Sequence, residues 1–199
     1  SGFHEPYLMG ANRRAGVGAP DYVKYMLSRP VKVQPGSEFV YSTADSILAG
    51  RMVEKAVGKR LSEYLYERFF EPLGQGFPIW ENCPQGHPIG GGGMFMTLSN
   101  MLKIGQVYLM DGKWKGQQLV DPAWIKEATA KQIETPNPGN DIWVCGYGYQ
   151  FWRNPYEDSY RADGAYGQLT MVLPKKGLIV AVQCPESGDL NKVKPVMHE

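Results

Sequence analysis

The spacing of apolar residues divides the chain into two textures. Between residues 42 and 132 apolar positions recur at intervals of three and four, the period of a helix with one buried face. From Trp143 onward they gather into short uninterrupted runs of strand length. Ser42-Thr43-Ala44-Asp45 has the spacing of a helix cap, and Ala44, Ile47, Leu48, Met52 and Ala56 then share a face that Gly58 closes. Leu61, Leu65 and Phe69, four apart, predict a second helix ending at Pro72 and Gly74. A third, capped by Thr97 or Ser99, carries Met101, Ile104 and Tyr108 and stops at Gly112. Asp121-Pro122 opens a fourth that runs to about Gln132. Ahead of these, residues 1–36 read as loop with one short helix from Asp21 to Leu27, and Glu38 to Tyr41 as a short extended piece. Residues 75–93 read mostly as loop.

Beyond a Pro/Asn/Gly stretch at 135–140, Tyr147 to Trp152 reads as aromatic and extended. Gln168–Leu173 and Leu178–Cys184 form apolar runs joined by Pro174-Lys-Lys-Gly177, a hairpin signal. A closing helix is expected near Asn191. Helices followed by an antiparallel sheet with helical cover give an α+β fold.

Composition narrows the function classes. The 199 residues carry a net charge of +1 with no basic block, which argues against nucleic acid or an anionic membrane as partner. No apolar run is long enough to span a bilayer. Cys83, Cys145 and Cys184 are scattered, and His4, His87 and His198 do not cluster with them, so neither a metal nor another cofactor is expected. Both termini read as cut from a longer protein. Gly90 to Gly93 suggests a phosphate cradle, but no Lys-Ser follows, and a tight bend before a buried segment is the expected reading.

Tyr41-Ser42-Thr43, at the mouth of a capped helix, gains meaning from its surroundings. Pro35-Gly-Ser-Glu-Phe-Val-Tyr-Ser42 is followed by Ile47-Leu-Ala-Gly50, Val53-Glu-Lys55 and Glu71-Pro-Leu-Gly74. Gly90-Gly-Gly-Gly-Met-Phe-Met-Thr97, Tyr147 to Trp152 and Ala162-Asp-Gly-Ala-Tyr-Gly-Gln168 come after them in order. Together this series resembles the serine β-lactamase-like family: class C β-lactamases, penicillin-binding proteins and family VIII-type esterases. Ser1-Gly2-Phe3 resembles the segment that follows the family's nucleophile helix.

The resemblance implies a partial β-lactamase/transpeptidase-like domain over 1–199, lacking the N-terminal nucleophile segment. Its helix-rich lobe would cover about 1–136, and its antiparallel sheet and C-terminal helix about 142–199. It implies an acyl-enzyme hydrolase whose nucleophile belongs to a Ser-x-x-Lys element, and no serine in this chain has lysine at plus three. Tyr41 matches the general base of the YxN-type element, and Thr43 stands in its asparagine position. Ala162-Asp163-Gly164 occupies the Lys/His-Thr-Gly strand, and Ala165 would offer a backbone N–H to the oxyanion hole. Tyr41 and residues 162–165 would then face one cleft. The groove left by the nucleophile helix, beside Tyr41 and Gly164, would be filled by another copy, a rearranged terminus or solvent, and the partners implied are the missing N-terminal segment or another copy.

Elementary chemistry weighs these departures. A phenol with an ordinary pKa of about 10 needs nearby positive charge to act as base near neutrality. Ala162 removes one such cation. Strand alternation turns Arg161 to the opposite face from Ala162, with Asp163 beside it as a structural partner. Small residues at Gly164 and Ala165 suit a role carried by backbone N–H groups. Without a cation at 162, acidic substrates lose an anchor, which favours a small ester or a less acidic amide. Trp143, Tyr147, Tyr149, Trp152 and Tyr166 either line an acyl pocket or pack a core. Three readings stay open: an active parent hydrolase, exported as its relatives often are, with this chain inactive by itself; a non-catalytic binding or regulatory module on the same scaffold; and a stable piece of a larger chain with no separate function.

Overall fold

The computed structural model describes residues 20–136, 141–164 and 167–183. The expected closing helix near Asn191 and the position of Ala165 lie outside them. The chain forms two compact units, residues 1–96 and 97–199. The texture of the sequence changes near residue 136, whereas the units divide between Met96 and Thr97.

In the first unit, α1 (Tyr22–Leu27) is capped by Asp21, whose carboxylate accepts the Lys24 N–H at 3.0 Å. Helix α2 (Thr43–Val57) starts at Ser42, whose hydroxyl accepts the Asp45 N–H, and stops at Gly58 in the left-handed conformation, φ 69°. Its buried stripe differs from the expected one. Ala44 and Ile47 are buried, but Met52 is 71% exposed, and the stripe continues through Gly50 and Glu54. The cause is local. Gly50 lies against Leu61 and Gly90, and the buried Glu54 carboxylate accepts the Leu61 N–H at 2.9 Å while pairing with Arg51 and His87.

Helix α3 (Leu61–Leu65) passes directly into a π-turn, Tyr66–Phe70. The wider turn advances the register by one residue, so Phe70 is buried where the four-residue repeat pointed to Phe69. Glu38–Tyr41 forms no strand. The stretch read as loop contains β1 (Ile79–Trp80), paired antiparallel with β2 (Met94–Phe95). Phe95 is exposed, so the glycine bend leads into an open two-stranded ribbon rather than a buried segment. Tyr22, Met26, Ala44, Ile47, Cys83 and Ile89 form this unit's core.

In the second unit, α4 (Leu98–Leu109) is capped by Thr97. A short hairpin follows, β3 (Lys113–Trp114) against β4 (Gln117–Gln118), and then α5 (Pro122–Thr129) with Asp121 as cap and proline at the first helical position. A four-stranded antiparallel sheet has the order β5 (Trp152–Arg153), β6 (Tyr160–Asp163), β7 (Leu169–Leu173), β8 (Leu178–Val182). The expected hairpin joins β7 to β8, with Gly177 at φ 60° closing the turn. Tyr147 to Trp152 is not a continuous strand. Tyr147 makes single bridges to Ile133 and Trp152, and Gly148 donates to the Phe151 carbonyl as the chain doubles back.

The period of two sorts the sheet's side chains. Leu169, Met171 and Leu173 face a core with Ile142, joined by Trp143, Val180 and Val182. The other face meets α4, where Gly105 sits under Thr170 and Ile179. Tyr160 shares this second face and its hydroxyl donates to the Tyr108 carbonyl at 3.3 Å. The architecture is mixed helix and antiparallel sheet.

Candidate functional site

Tyr41 immediately precedes the cap of α2 and is 51% exposed. Ser42 holds extended angles, φ −138° and ψ 115°, and caps the helix that Thr43 begins. Half-buried Thr43 lies against the glycine loop, so that a Cβ built on Gly91 would come 2.6 Å from its methyl carbon. One residue in sequence thus caps the helix and separates the two candidate groups.

At the other end of the same helix, Glu54, Arg51 and His87 form a polar cluster that sequence reasoning missed. His87 Nδ1 stands 2.9 Å from Glu54 Oε2, tying the 83–89 loop to α2. Only the Arg51/Glu54 spacing of three hinted at it.

The second set of candidates lies in β6 of the other unit. Ala162 is exposed and pairs with Thr170. Arg161 is 0% exposed and lies on the opposite face. Its Nε donates to Asp163 Oδ2 at 2.8 Å, and its Nη1 to the Arg153 carbonyl at 2.9 Å and to Asn154 Oδ1 at 2.7 Å. The guanidinium carbon is 4.7 Å from the Trp143 ring centre and 5.6 Å from that of Trp152. Those two indoles meet edge-on at 4.6 Å. Trp143 and Trp152 therefore pack around a buried cation.

Burial pushes the Asp163 carboxyl above its ordinary range and the Arg161 guanidinium below its own, and each opposes the shift of the other. The guanidinium nevertheless keeps its charge. With three of its hydrogen bonds made inside, Arg161 offers no cation to the face on which Ala162 lies.

Gly164 closes β6. Its N–H donates to the Gln168 carbonyl at 2.8 Å, and its own carbonyl accepts the Gly167 N–H at 3.2 Å. A Cβ at Gly164 would stand 2.5 Å from Gln168 Oε1, the far end of a flexible side chain that would have to swing aside. Because its N–H is engaged in this turn, Gly164 contributes compactness rather than a free donor. Of the other aromatics, Tyr149 stacks on Trp124 with centroids 5.6 Å apart, and Tyr147 meets Trp152 edge-on. Tyr166 lies outside the described residues. Among the described residues no group of three or more His, Cys, Asp or Glu could hold a metal ion, and no helix is long and apolar enough to cross a membrane.

Comparison with known proteins gives this arrangement a setting. The structure is similar to that of the "Putative 6-aminohexanoate-dimer hydrolase" of Bacillus anthracis, with a TM-score of 0.77 and 19% identity, over 99% of this chain and 55% of that one. It is similar to a penicillin binding protein of Bacillus halodurans, with a TM-score of 0.68 and 18% identity, over 89% of this chain and 61% of that one. A 45-residue stretch is 42% identical to the "Putative D-alanyl-D-alanine carboxypeptidase" of Escherichia coli K12, covering 23% of this chain and 10% of that protein. The chain thus spans little more than half of these solved relatives, and the structural likenesses carry the fold. The family model described as Beta-lactamase matches residues 1–191, and the chain accordingly belongs to the beta-lactamase family, a family of the serine hydrolase type.

Proposed function

We propose that this chain is the base- and strand-bearing portion of a serine hydrolase that cleaves small esters or weakly acidic amides through an acyl-enzyme. In this reading the nucleophile belongs to a Ser-x-x-Lys element outside these 199 residues, and the chain alone is inactive. Tyr41 takes the proton from the serine hydroxyl as its oxygen attacks the carbonyl carbon, and returns it to the leaving group. A water then repeats the sequence in reverse, releasing the acid and freeing the serine. Thr43, Ala162, Asp163 and Gly164 are the candidate substrate-binding residues of this reading, Asp163 in a structural role as the partner of Arg161. The Ala165 backbone N–H donates to the oxyanion.

One observation carries the choice of substrate: Ala162 is exposed without a charge of its own, while the neighbouring cation, Arg161, is buried with Asp163. A carboxylate-bearing substrate would find no positive partner from this strand, so selection favours neutral acyl groups. The same observation supports a second reading, a non-catalytic binding module, since the phenol of Tyr41 also loses a cation that would assist its ionisation.

A fluorophosphonate probe on the full-length protein separates the two. Stable labelling of one serine, lost in Tyr41→Phe, is the expected result. An unlabelled full-length protein would sink the hydrolase reading and favour the binding module. Labelling of the 199-residue chain by itself would show the nucleophile to be misassigned.

A further inference from the structure

The four glycines at 90–93 have no part in the reading above, yet two of them touch its candidate base helix. A Cβ at Gly90 would stand 2.5 Å from the Ser46 carbonyl oxygen, and one at Gly91 would stand 2.6 Å from Thr43 Cγ2 and 3.0 Å from the Thr43 carbonyl oxygen. Neither glycine holds a positive φ, unlike Gly93 at 76°. Their requirement is therefore one of space and not of backbone conformation.

The loop they belong to is held at several points. Ile89 is buried in the core beside Ala44 and Ile47. The Trp80 indole N–H donates to the carbonyls of Ile89 at 2.8 Å and Gly92 at 2.9 Å. The Ile89 N–H donates to the Glu81 carbonyl, and the Glu81 N–H to the Gly93 carbonyl. A side chain added to a loop so fixed displaces the opposite wall, which is the first turn of α2.

We infer that Gly90 and Gly91 are positioning residues: a side-chain-free spacer that sets where the start of α2 stands, and with it Tyr41 and Thr43. What those two residues do rests on the hydrolase reading; where they stand does not. The contact also predicts its own repair. At Gly91 the sharpest conflict is with a methyl group on a β-branched residue whose rotamer a helix fixes. Thr43→Ser removes that methyl and keeps the hydroxyl. At Gly90 the conflict is with a backbone oxygen, which no side-chain change relieves.

The test places 3-fluorotyrosine at position 41 of this chain and follows its fluorine resonance. Gly91→Ala is expected to move the resonance, and to move it far less when introduced into Thr43→Ser. Gly90→Ala should move it equally in both backgrounds. Gly76→Ala, where an added Cβ meets nothing within 4 Å, should leave it in place. An unmoved resonance in Gly91→Ala overturns the inference, as does a shift that Thr43→Ser fails to relieve. Should Gly91→Ala not fold, recovery of folding in the double variant supports the contact, and failure to recover overturns it.

In the full-length protein the fluorophosphonate reaction of Gly91→Ala should slow on the order of tenfold or more, as a displaced catalytic group requires. It should largely recover in the double variant relative to Thr43→Ser. A wild type that takes no label defeats the hydrolase reading and leaves the fluorine result to decide the positioning.

Discussion

Replacing Asp163 by asparagine would leave a buried positive charge without its counter-charge while barely changing shape. Arg161 is wholly buried, and Asp163 retains 11% side-chain exposure, so water cannot easily take the place of the lost carboxylate. The remaining acceptors, the Arg153 carbonyl and Asn154 Oδ1, are neutral. Breaking a buried pair from one side costs about 3–5 kcal/mol. The asparagine oxygen can still accept from Nε, and the two indole faces still attract the cation. Both effects place the expected loss near the lower end, about 3 kcal/mol. For a urea slope of about 1–3 kcal/mol per molar, the midpoint falls by roughly 1–3 M.

Tryptophan emission is the natural readout, because Trp143 and Trp152 flank the guanidinium. Arg161→Met completes a cycle. Alone it strands the Asp163 carboxylate, but combined with Asp163→Asn it leaves no buried charge. The double variant should then lose less than the sum of the singles, with a coupling of about 0.5–3 kcal/mol. A loss below about 0.5 kcal/mol in Asp163→Asn, the range of ordinary surface changes, would refute the account. Additive singles would refute it equally, since they would mean that the two groups do not depend on each other.

Burial raises the phenol pKa of Tyr160, aided by Tyr108 and Asp111, and that of Tyr108. Above the ordinary tyrosine pKa of about 10 the unfolded chain loses these protons first, so stability should fall with rising pH. Ultraviolet titration should show two phenols that ionise only with unfolding, both gone in Tyr108→Phe/Tyr160→Phe. Gly105→Ala would bring a Cβ to 2.7 Å from Ile179 Cγ2. An overpacking loss of about 1–3 kcal/mol is expected, read as a lower thermal midpoint, and a neutral result would mean that α4 stands further from β7 and β8.

Local signals made much of the fold legible. Ser42 with Asp45, Asp121 with Pro122, and Pro174 to Gly177 each fix a backbone conformation within four residues, and those caps and that turn stand where the pattern put them. What the pattern could not supply depends on contacts distant in sequence. The buried stripe of α2 runs through Gly50 and Glu54 because Leu61, Gly90 and His87 lie against that side of the helix. The π-turn at Tyr66–Phe70 shifts the buried phenylalanine by one place, which a four-residue repeat cannot register. Strands β1 and β2 are two residues each, too short for any period to show. For the candidate site, strand alternation alone places Arg161 opposite Ala162. The engagement of the Gly164 N–H with Gln168 is visible only in the folded turn.

The pleat of β6 ties these points into one argument about chemistry. Adjacent residues of a strand cannot serve the same face, so a cation at 161 belongs to the side of Trp143 and Trp152, and a cation at 162 would belong to the side that meets α4, at a position that is itself exposed. Here the arginine is at 161, where Asp163, two residues on, meets it on the same face, and Trp143 and Trp152 complete the enclosure. The position that opens outward is alanine. Moving charge from one side of the sheet to the other would require either a one-residue slip, which would turn Tyr160 away from Tyr108 and Asp163 away from Arg161, or a new basic residue at 162. The interior pairing of β6 therefore holds the register that leaves position 162, on the face of Tyr160 and Thr170, without a charge, and the proposed preference for neutral acyl groups rests on that register.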